Sequence, residues 1–424
     1  MLVVAPLVVA LVLQAFVCYF VILRSDSLTM LEEDTYGLLS ERVSSRAGYL
    51  ENDMVLRWSE TGETAQKLSE TVSSVLAEHG ASAADIETAS PLALEIIDSA
   101  ADDVLSFVRR SEIDGAYFIL IDGSQDGLSG EGPRRSALYV LDSNPDVTLE
   151  NDSDLLLAAC PISLAKRTDI ALASSWEATL TMGANPDETA YYEKPLAAAL
   201  EHPDAAVDDL GYWGLPVDIG STGSRSITYS MPVKDEGGHV VGVFGIEVSV
   251  NRLVTFFPYR DLDEAGQGSY ILAIGDESSS GLAGSAVSGD RFSLGVIAST
   301  GAVQNLYTDS NSLAVLADDR GYLTASADDA TGREAAVAAS SVIKLYDSTS
   351  PFSSQQWYLV GLVPENTLFR ASQSLETNLL VILGVSFGVG VLLAAVAAWF
   401  SSSRLRRLMG EVRGVGEARG VDPA

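Results

Sequence analysis

Ser226-Ile-Thr-Tyr-Ser-Met-Pro-Val233, then Lys234-Asp-Glu-Gly-Gly238, then His239-Val-Val-Gly-Val-Phe-Gly-Ile-Glu-Val-Ser-Val250 is the stretch on which the fold turns. Two runs rich in β-branched and aromatic residues flank a Gly-Gly turn, the pattern of a β-hairpin. Alternate residues of a strand face opposite sides of its sheet. Phe244, Ile246, Val248 and Val250 therefore share one face, which is plainly core. Val243, Gly245, Glu247 and Ser249 share the other. That second face is small and polar, and it suits either the floor of a pocket or contact with solvent.

Upstream, Ala116–Ile121 and Ala137–Leu141 are short apolar runs bounded by turn residues and predict strands. Leu172–Met182 holds a further short element, and Thr189–Leu200 predicts a helix. Downstream, Val250–Phe257 begins a helix that Pro258 ends. Ser269–Ile274, Leu313–Leu316, Tyr322–Ala325 and Gln356–Val363 predict strands, with a Gly/Ser-rich loop over Gly275–Gly295. Before all of these, Leu28, Leu31, Leu39, Val43, Ala47, Leu50, Met54 and Trp58 recur at helical spacing. That stripe serves packing against its own domain, a dimer seam, or both. Helices are also expected over Glu63–Glu78 and from Ser82 to Arg110.

Apolar runs frame this block. Residues 2–23 and 379–400 carry no charge, and each is long enough to cross a bilayer as a helix. Arg404, Arg406, Arg407, Arg413 and Arg419 follow the second run, so the positive-inside rule puts the C-terminus in the cytoplasm and the block outside. A cleaved signal peptide is the alternative for the first run. The lack of a basic start, the length of the run and the lack of a small-x-small site before Arg24 argue against it. The chain carries −32 and the tail +2, which leaves −34 between the runs. A surface of that charge repels nucleic acid. Of the two cysteines, Cys18 lies in the first run, so Cys160 has no partner in the block. A large disulfide-free outer domain suits a bacterial protein better than a eukaryotic one.

Three segments carry a family resemblance: Asp209-Leu-Gly-Tyr-Trp-Gly-Leu-Pro216, Ile227-Thr-Tyr-Ser-Met-Pro-Val233 and Gly238-His-Val-Val-Gly-Val-Phe-Gly-Ile-Glu-Val248. In residues and in order they resemble the double Cache family of bacterial extracytoplasmic sensors. The resemblance implies an α+β fold: a long N-terminal helix, then two stacked PAS-like modules, flanked by two transmembrane helices. The expected division is a first span at 2–23, a helical stalk and sensor helices at 24–110, and a membrane-distal module at 111–258. A membrane-proximal module at 259–366, a connecting helix at 367–378, a second span at 379–400 and a short cytoplasmic tail at 401–424 complete it. The distal module is the implied ligand binder. Glu247 stands where the family often has an Asp that contacts a ligand amine. Tyr191 and Tyr192 match the aromatic pair of the amino-acid-binding subset, while Thr189 replaces the Arg that holds the ligand carboxylate there. That replacement argues against an ordinary α-amino-acid ligand, with Arg225 as the candidate substitute. Tyr212, Trp213 and Tyr229 complete the expected aromatic-lined site.

No catalytic constellation occurs. His79, His202 and His239 lack metal-ligand spacing, so no metal and no cofactor are expected. Gly384-Val-Ser-Phe-Gly388 matches a serine-hydrolase elbow, but it lies in a predicted span and fits the Gly-x3-Gly helix-contact pattern better. The expectation is a bacterial plasma-membrane receptor, not an enzyme, with a small polar or cationic ligand, a homodimeric state and both termini in the cytoplasm. The tail has no room for a kinase, cyclase or chemotaxis output, so either the chain is part of a longer protein or a cytoplasmic partner supplies the signal. A membrane-anchored extracellular scaffold or protein-binding module without a small ligand is the alternative.

Overall fold

The computed structural model describes residues 26–58, 61–86, 91–122, 132–146, 153–263, 266–275, 279, 281–282, 286–301, 312–325 and 336–370, with scattered positions between 373 and 403. The predicted first span at 2–23 and almost all of the tail lie outside them. The described positions between 380 and 399 are helical, with exposed apolar side chains such as Ile382, Val385, Leu392 and Trp399. Among the described residues, no helix is long and apolar enough to cross a membrane. Residues 1–38 with 365–424 form one compact unit and 39–364 another.

Helix α1 (Asp26–Asn52) continues through a π-helical turn, Asp53–Trp58. From Leu39 onward its stripe is wholly buried: Leu39, Val43, Ala47, Leu50, Met54 and Trp58 all lie in the core of their own chain. These positions are thus not available as a dimer seam. Helix α2 (Gly62–His79) ends on Gly80, and α3 spans Pro91–Val108, opening after a separate 3-10 turn at Ala83–Asp85. The helix expected from Ser82 is therefore two elements.

A seven-stranded sheet follows. It comprises β1 (Gly115–Leu120), β3 (Ala137–Asp142), β4 (Leu155–Ala159), β5 (Ala171–Glu177), β7 (Tyr212–Val217), β8 (Ser226–Lys234) and β9 (Val240–Ser249), in the order β5-β4-β3-β1-β9-β8-β7. Two short strands, β2 (Arg134–Arg135) and β6 (Leu180–Thr181), pair beside it. The quoted hairpin forms as expected, with Thr228 opposite Glu247 and Ser230 opposite Gly245. The first and last strands of the unit meet at its centre, where β1 pairs with β9 in antiparallel register, Gly115 against Glu247 and Tyr117 against Gly245. On one side Phe244 meets Phe107 of α3 edge to face at 5.3 Å. On the other lies α5 (Pro186–Glu201), over β7, β8 and β9, while α4 (Ile162–Thr168) meets α3, where its Arg167 pairs with Asp98 and Asp102. Asn185 caps α5, accepting from the Asp187 amide, and Pro186 opens its first turn. Both sheet faces are covered, so the small polar face of β9 does not meet solvent.

After α6 (Val250–Leu253) comes a second sheet: β10 (Ser269–Gly275), β11 (Arg291–Gly301), β12 (Ser312–Ala317), β13 (Leu323–Ala325), β14 (Ala336–Ile343) and β15 (Gln356–Pro364). Again the first and last strands pair, β10 with β15. This sheet departs from a simple copy of the first, because pairing of β11 with β12 closes it into a six-stranded barrel. Six strands leave a narrow interior, and small side chains fill much of it: Ala273, Ala317, Ala325, Ala336 and Ala338, with Leu294, Val315 and Val360. Helix α7 (Glu365–Leu368) follows.

The outward face of β15 is covered by α1. A Cβ on Gly361 would stand 2.4 Å from Cγ2 of Val43, so glycine is what lets the helix lie on the barrel. Trp58 closes the same seam, edge to face with Phe256 at 5.2 Å and 6.5 Å from Trp213, which in turn lies 6.4 Å from Trp357. Gly361→Val should overpack this seam and destabilise the protein by about 1–3 kcal/mol. Trp58→Ala should cost about 3–5 kcal/mol. Both are read as lowered thermal midpoints, and a Gly361→Val midpoint at or above the parent's would contradict the described packing.

Candidate functional site

The candidate site lies on the face of the first sheet that α5 covers. Glu247 is buried at 3 % exposure. Its side chain leans over β1, where a Cβ on Gly115 would come within 2.8 Å of Oε1. Tyr139, on β3, donates its hydroxyl to that Oε1 at 2.9 Å. Two residue pairs along, on the same face, Gly245 leaves room for the Tyr117 ring, which a Cβ there would meet at 2.5 Å. Tyr117 and Ser230 join hydroxyls at 2.7 Å. Tyr191 descends from α5 and stands edge to face on Tyr117 at 5.3 Å, while Tyr117 and Tyr139 make a second such pair at 6.3 Å. The result is a buried carboxylate at one end of a wall of three tyrosine rings.

Burial pushes the Glu247 carboxyl up to about 7, opposed by the Tyr139 hydrogen bond and reinforced by the negative charges of Asp114 and Asp218. Burial likewise drives the phenols of Tyr117, Tyr139 and Tyr191 upward, so all three remain neutral. Oε2 of Glu247 has no hydrogen-bond partner, nor do the buried hydroxyls of Thr228 and Ser226. Ser226 lies near enough to Glu247, and Thr228 near enough to Tyr117, to lower those groups slightly, yet neither hydroxyl makes a bond of normal geometry. Unpaired buried polar atoms cost stability, and native proteins keep few. Here three lie on one face of one hairpin.

The residues expected from the sequence divide between the two faces. Tyr191 joins Glu247. Trp213 and Tyr229 do not: they pair across β7 and β8 and stack at 5.0 Å on the opposite face, with Trp58. Strand alternation dictates this, since Tyr229 follows Thr228, which faces Glu247. Tyr212 points to the Glu247 side from the edge strand, but its ring packs on Phe352 at 4.9 Å. Tyr192 turns away to donate to the Leu120 carbonyl at 3.3 Å, with Arg135 over its ring at 5.2 Å. Arg225 is exposed and donates to the Pro216 carbonyl at 2.9 Å, so it does not stand in for the missing Arg beside Glu247. Tyr117, Tyr139, Thr228 and Ser230 were not singled out by the sequence. Tyr117 and Tyr139 lie inside predicted strands, but only the β1–β9 pairing reveals that both face Glu247.

No family model matches the sequence, and no curated protein matches it. Among solved structures the chain is similar to the periplasmic sensory domain of the Campylobacter jejuni chemoreceptor Tlp1, at 13% identity over 80% of this chain and 97% of that one, TM-score 0.36. It is similar to the ligand-binding domain of the Pseudomonas fluorescens chemoreceptor CtaA in complex with L-leucine, at 12% identity over 80% and 99%, TM-score 0.37. It is also similar to the ligand-binding domain of the Pseudomonas aeruginosa PAO1 amino acid chemoreceptor PctB in complex with L-Arg, at 14% identity over 81% and 97%, TM-score 0.35.

Proposed function

We propose that this chain is a bacterial membrane receptor whose extracytoplasmic part senses a small polar or cationic molecule on the Glu247 face of its first sheet. The observation that carries this reading is the buried Oε2 of Glu247, unpartnered beside three tyrosine rings. A buried carboxylate without a counter-charge is costly. A cation that enters and pairs with it recovers that cost only when bound, which is what a sensor requires. The apolar runs at 2–23 and 379–400 anchor the domain, and a cytoplasmic partner or a continuation of the chain receives the signal.

The receptor acts as a homodimer in this reading. With the Leu39–Trp58 stripe buried, the face left for a second copy carries Tyr49 of α1 and Leu56 of the π-helical turn, each more than half exposed. In a Cys18→Ser, Cys160→Ser background, cysteines at Tyr49 and Leu56 should crosslink in membranes while those at Val43 and Leu50 should not. The reverse pattern would exclude this seam.

The carboxylate also makes the reading testable by pH. Its folded pKa of about 7 lies above the unfolded value of 4.5. The folded state therefore binds the extra proton, and the penalty for the charged form is absent below pH 4.5. It grows as pH rises through that window and is complete above 7, at roughly 3 kcal/mol. Glu247→Gln should remove this loss, so the variant should melt higher than the parent at pH 8 and alike at pH 4.5. A cationic ligand found in a thermal-shift screen should bind the parent about tenfold more weakly at pH 6 than at pH 8, because only the ionised fraction is competent. It should bind Glu247→Gln weakly at both. Unchanged affinity in Glu247→Gln would refute the site.

A further inference from the structure

We propose that the loop joining β14 to β15, residues 344–355, is a strap that couples the Glu247 face of the first sheet to the barrel. The inference rests on the sensing reading above and adds how a change at that face leaves it.

A single row of residues leads from the carboxylate to this loop. Tyr139, Tyr117, Gly245, Ser230 and Tyr212 stand opposite one another on β3, β1, β9, β8 and β7. The row crosses five adjacent strands on the face that α5 covers. Directly opposed side chains on one face of a sheet touch, and here the contacts are specific. Tyr139 donates to Glu247 at 2.9 Å, and its ring meets that of Tyr117 at 6.3 Å. Tyr117 shares a hydrogen bond with Ser230 at 2.7 Å, across the space that Gly245 leaves. Beyond Ser230 stands Tyr212 on the edge strand, and its ring packs on Phe352 of the loop at 4.9 Å. The row that begins at the carboxylate therefore ends on the barrel's own loop.

The loop also takes the place of a strand beside β7. An edge strand presents backbone groups that no neighbouring strand pairs. On β7 the Trp213 amide donates to the Tyr346 hydroxyl at 2.8 Å, and Tyr346 donates in turn to Gln355 at 3.0 Å. Burial drives the Tyr346 phenol upward, so it stays neutral and keeps both bonds. Its ring lies 6.0 Å from Phe352. Thr349 donates to Asp209, just before β7, at 2.8 Å. Phe352 packs against the cluster that Ala198 and Ala199 of α5 form with Leu210 and Val240. At the start of the loop the Lys344 amide donates to Glu51 of α1 at 2.8 Å. One loop thus grips the edge of the site's sheet, the helix over the site and the helix along the barrel.

Of residues 344–355 only Ser350 is buried. A segment with so little burial opens at less cost than the sheet it holds, which gives the strap two states. Coupling between strap and site is reciprocal. An event at Glu247 that shifts the row moves the loop, and with it the strands β14 and β15 that the loop joins. Release of the strap frees β7, admits water to the row from its open edge, and lets the Glu247 carboxyl, raised chiefly by burial, fall toward the ordinary range.

The test reads the strap at the site: the side-chain carboxyl carbon of Glu247 is titrated by NMR in the full chain in lipid nanodiscs, with the proton as the probe. Tyr346→Phe removes the acceptor of the Trp213 amide and keeps the ring. Phe352→Ala removes the ring under Tyr212. Each should lower the Glu247 midpoint by about half a unit or more, which is about threefold in proton affinity. In a Ser230→Ala background, which cuts the row, Tyr346→Phe should shift the midpoint by less than half as much. Ser73→Ala removes the acceptor of the Glu236 amide at the hairpin turn, off the row, and should leave the midpoint in place. A midpoint unmoved by both Tyr346→Phe and Phe352→Ala, or moved equally by Ser73→Ala, overturns the strap and leaves the sensing reading intact. A parent midpoint at or below 4.5 contradicts the sensing reading itself.

Discussion

The antiparallel pairing of β1 with β9 is the constraint on which the first sheet and its candidate site depend. These strands are far apart in sequence, and their pairing sets Gly115 beside Glu247 and Tyr117 beside Gly245. Every group at the site follows from that register. Tyr139 reaches Glu247 because β3 flanks β1 on its other side, with Tyr139 opposite Tyr117. A slip of one residue would turn Glu247 into the face packed by Phe107 and Phe244, away from Tyr139. The same plan recurs in the barrel, where β10 and β15 join the ends of the second unit.

Much of the architecture is legible in the sequence, because the strands that build it are strongly patterned. The hairpin of β8 and β9, the central strand β1 and the closing strand β15 all show runs of β-branched and aromatic residues between turn signals. β4 is a bare apolar pentapeptide, Leu155–Ala159. β14, Ala336–Ile343, is rich in Ala and Ser, which have little β preference. β11 starts inside a Gly/Ser-rich segment that predicts a loop. None of these signals a strand by itself; each forms because neighbours present an unpaired edge. Barrel closure is still less visible, since it depends on how small the inward side chains of six separate strands are when brought together.

The site divides along the same line. That Glu247 shares a face with Val243 and Gly245 follows from alternation within one strand, and the structure adds that α5 covers this face. Which aromatics join it depends on parity in other strands. Trp213 and Tyr229 have the residue types of a ligand cage, yet they fall one residue out of phase and build the packed seam with Trp58, Trp357 and Phe256. The helical stripe of α1 teaches the same lesson. Its spacing predicts a buried face, and burial against the barrel uses that face up from Leu39 to Trp58. Spacing specifies that a face is buried without specifying against what.

The account turns on a carboxylate that is buried, short of partners and therefore held about half protonated at neutral pH until a cation arrives. The most direct measurement is the side-chain carboxyl carbon resonance of Glu247, assigned by comparison with Glu247→Gln in selectively labelled protein and followed through a pH titration without ligand. The account predicts a midpoint near 7, far above that of an ordinary glutamate. A midpoint at or below 4.5 would show the carboxylate to be already solvated or paired, and would contradict the claim that this face waits for a cation.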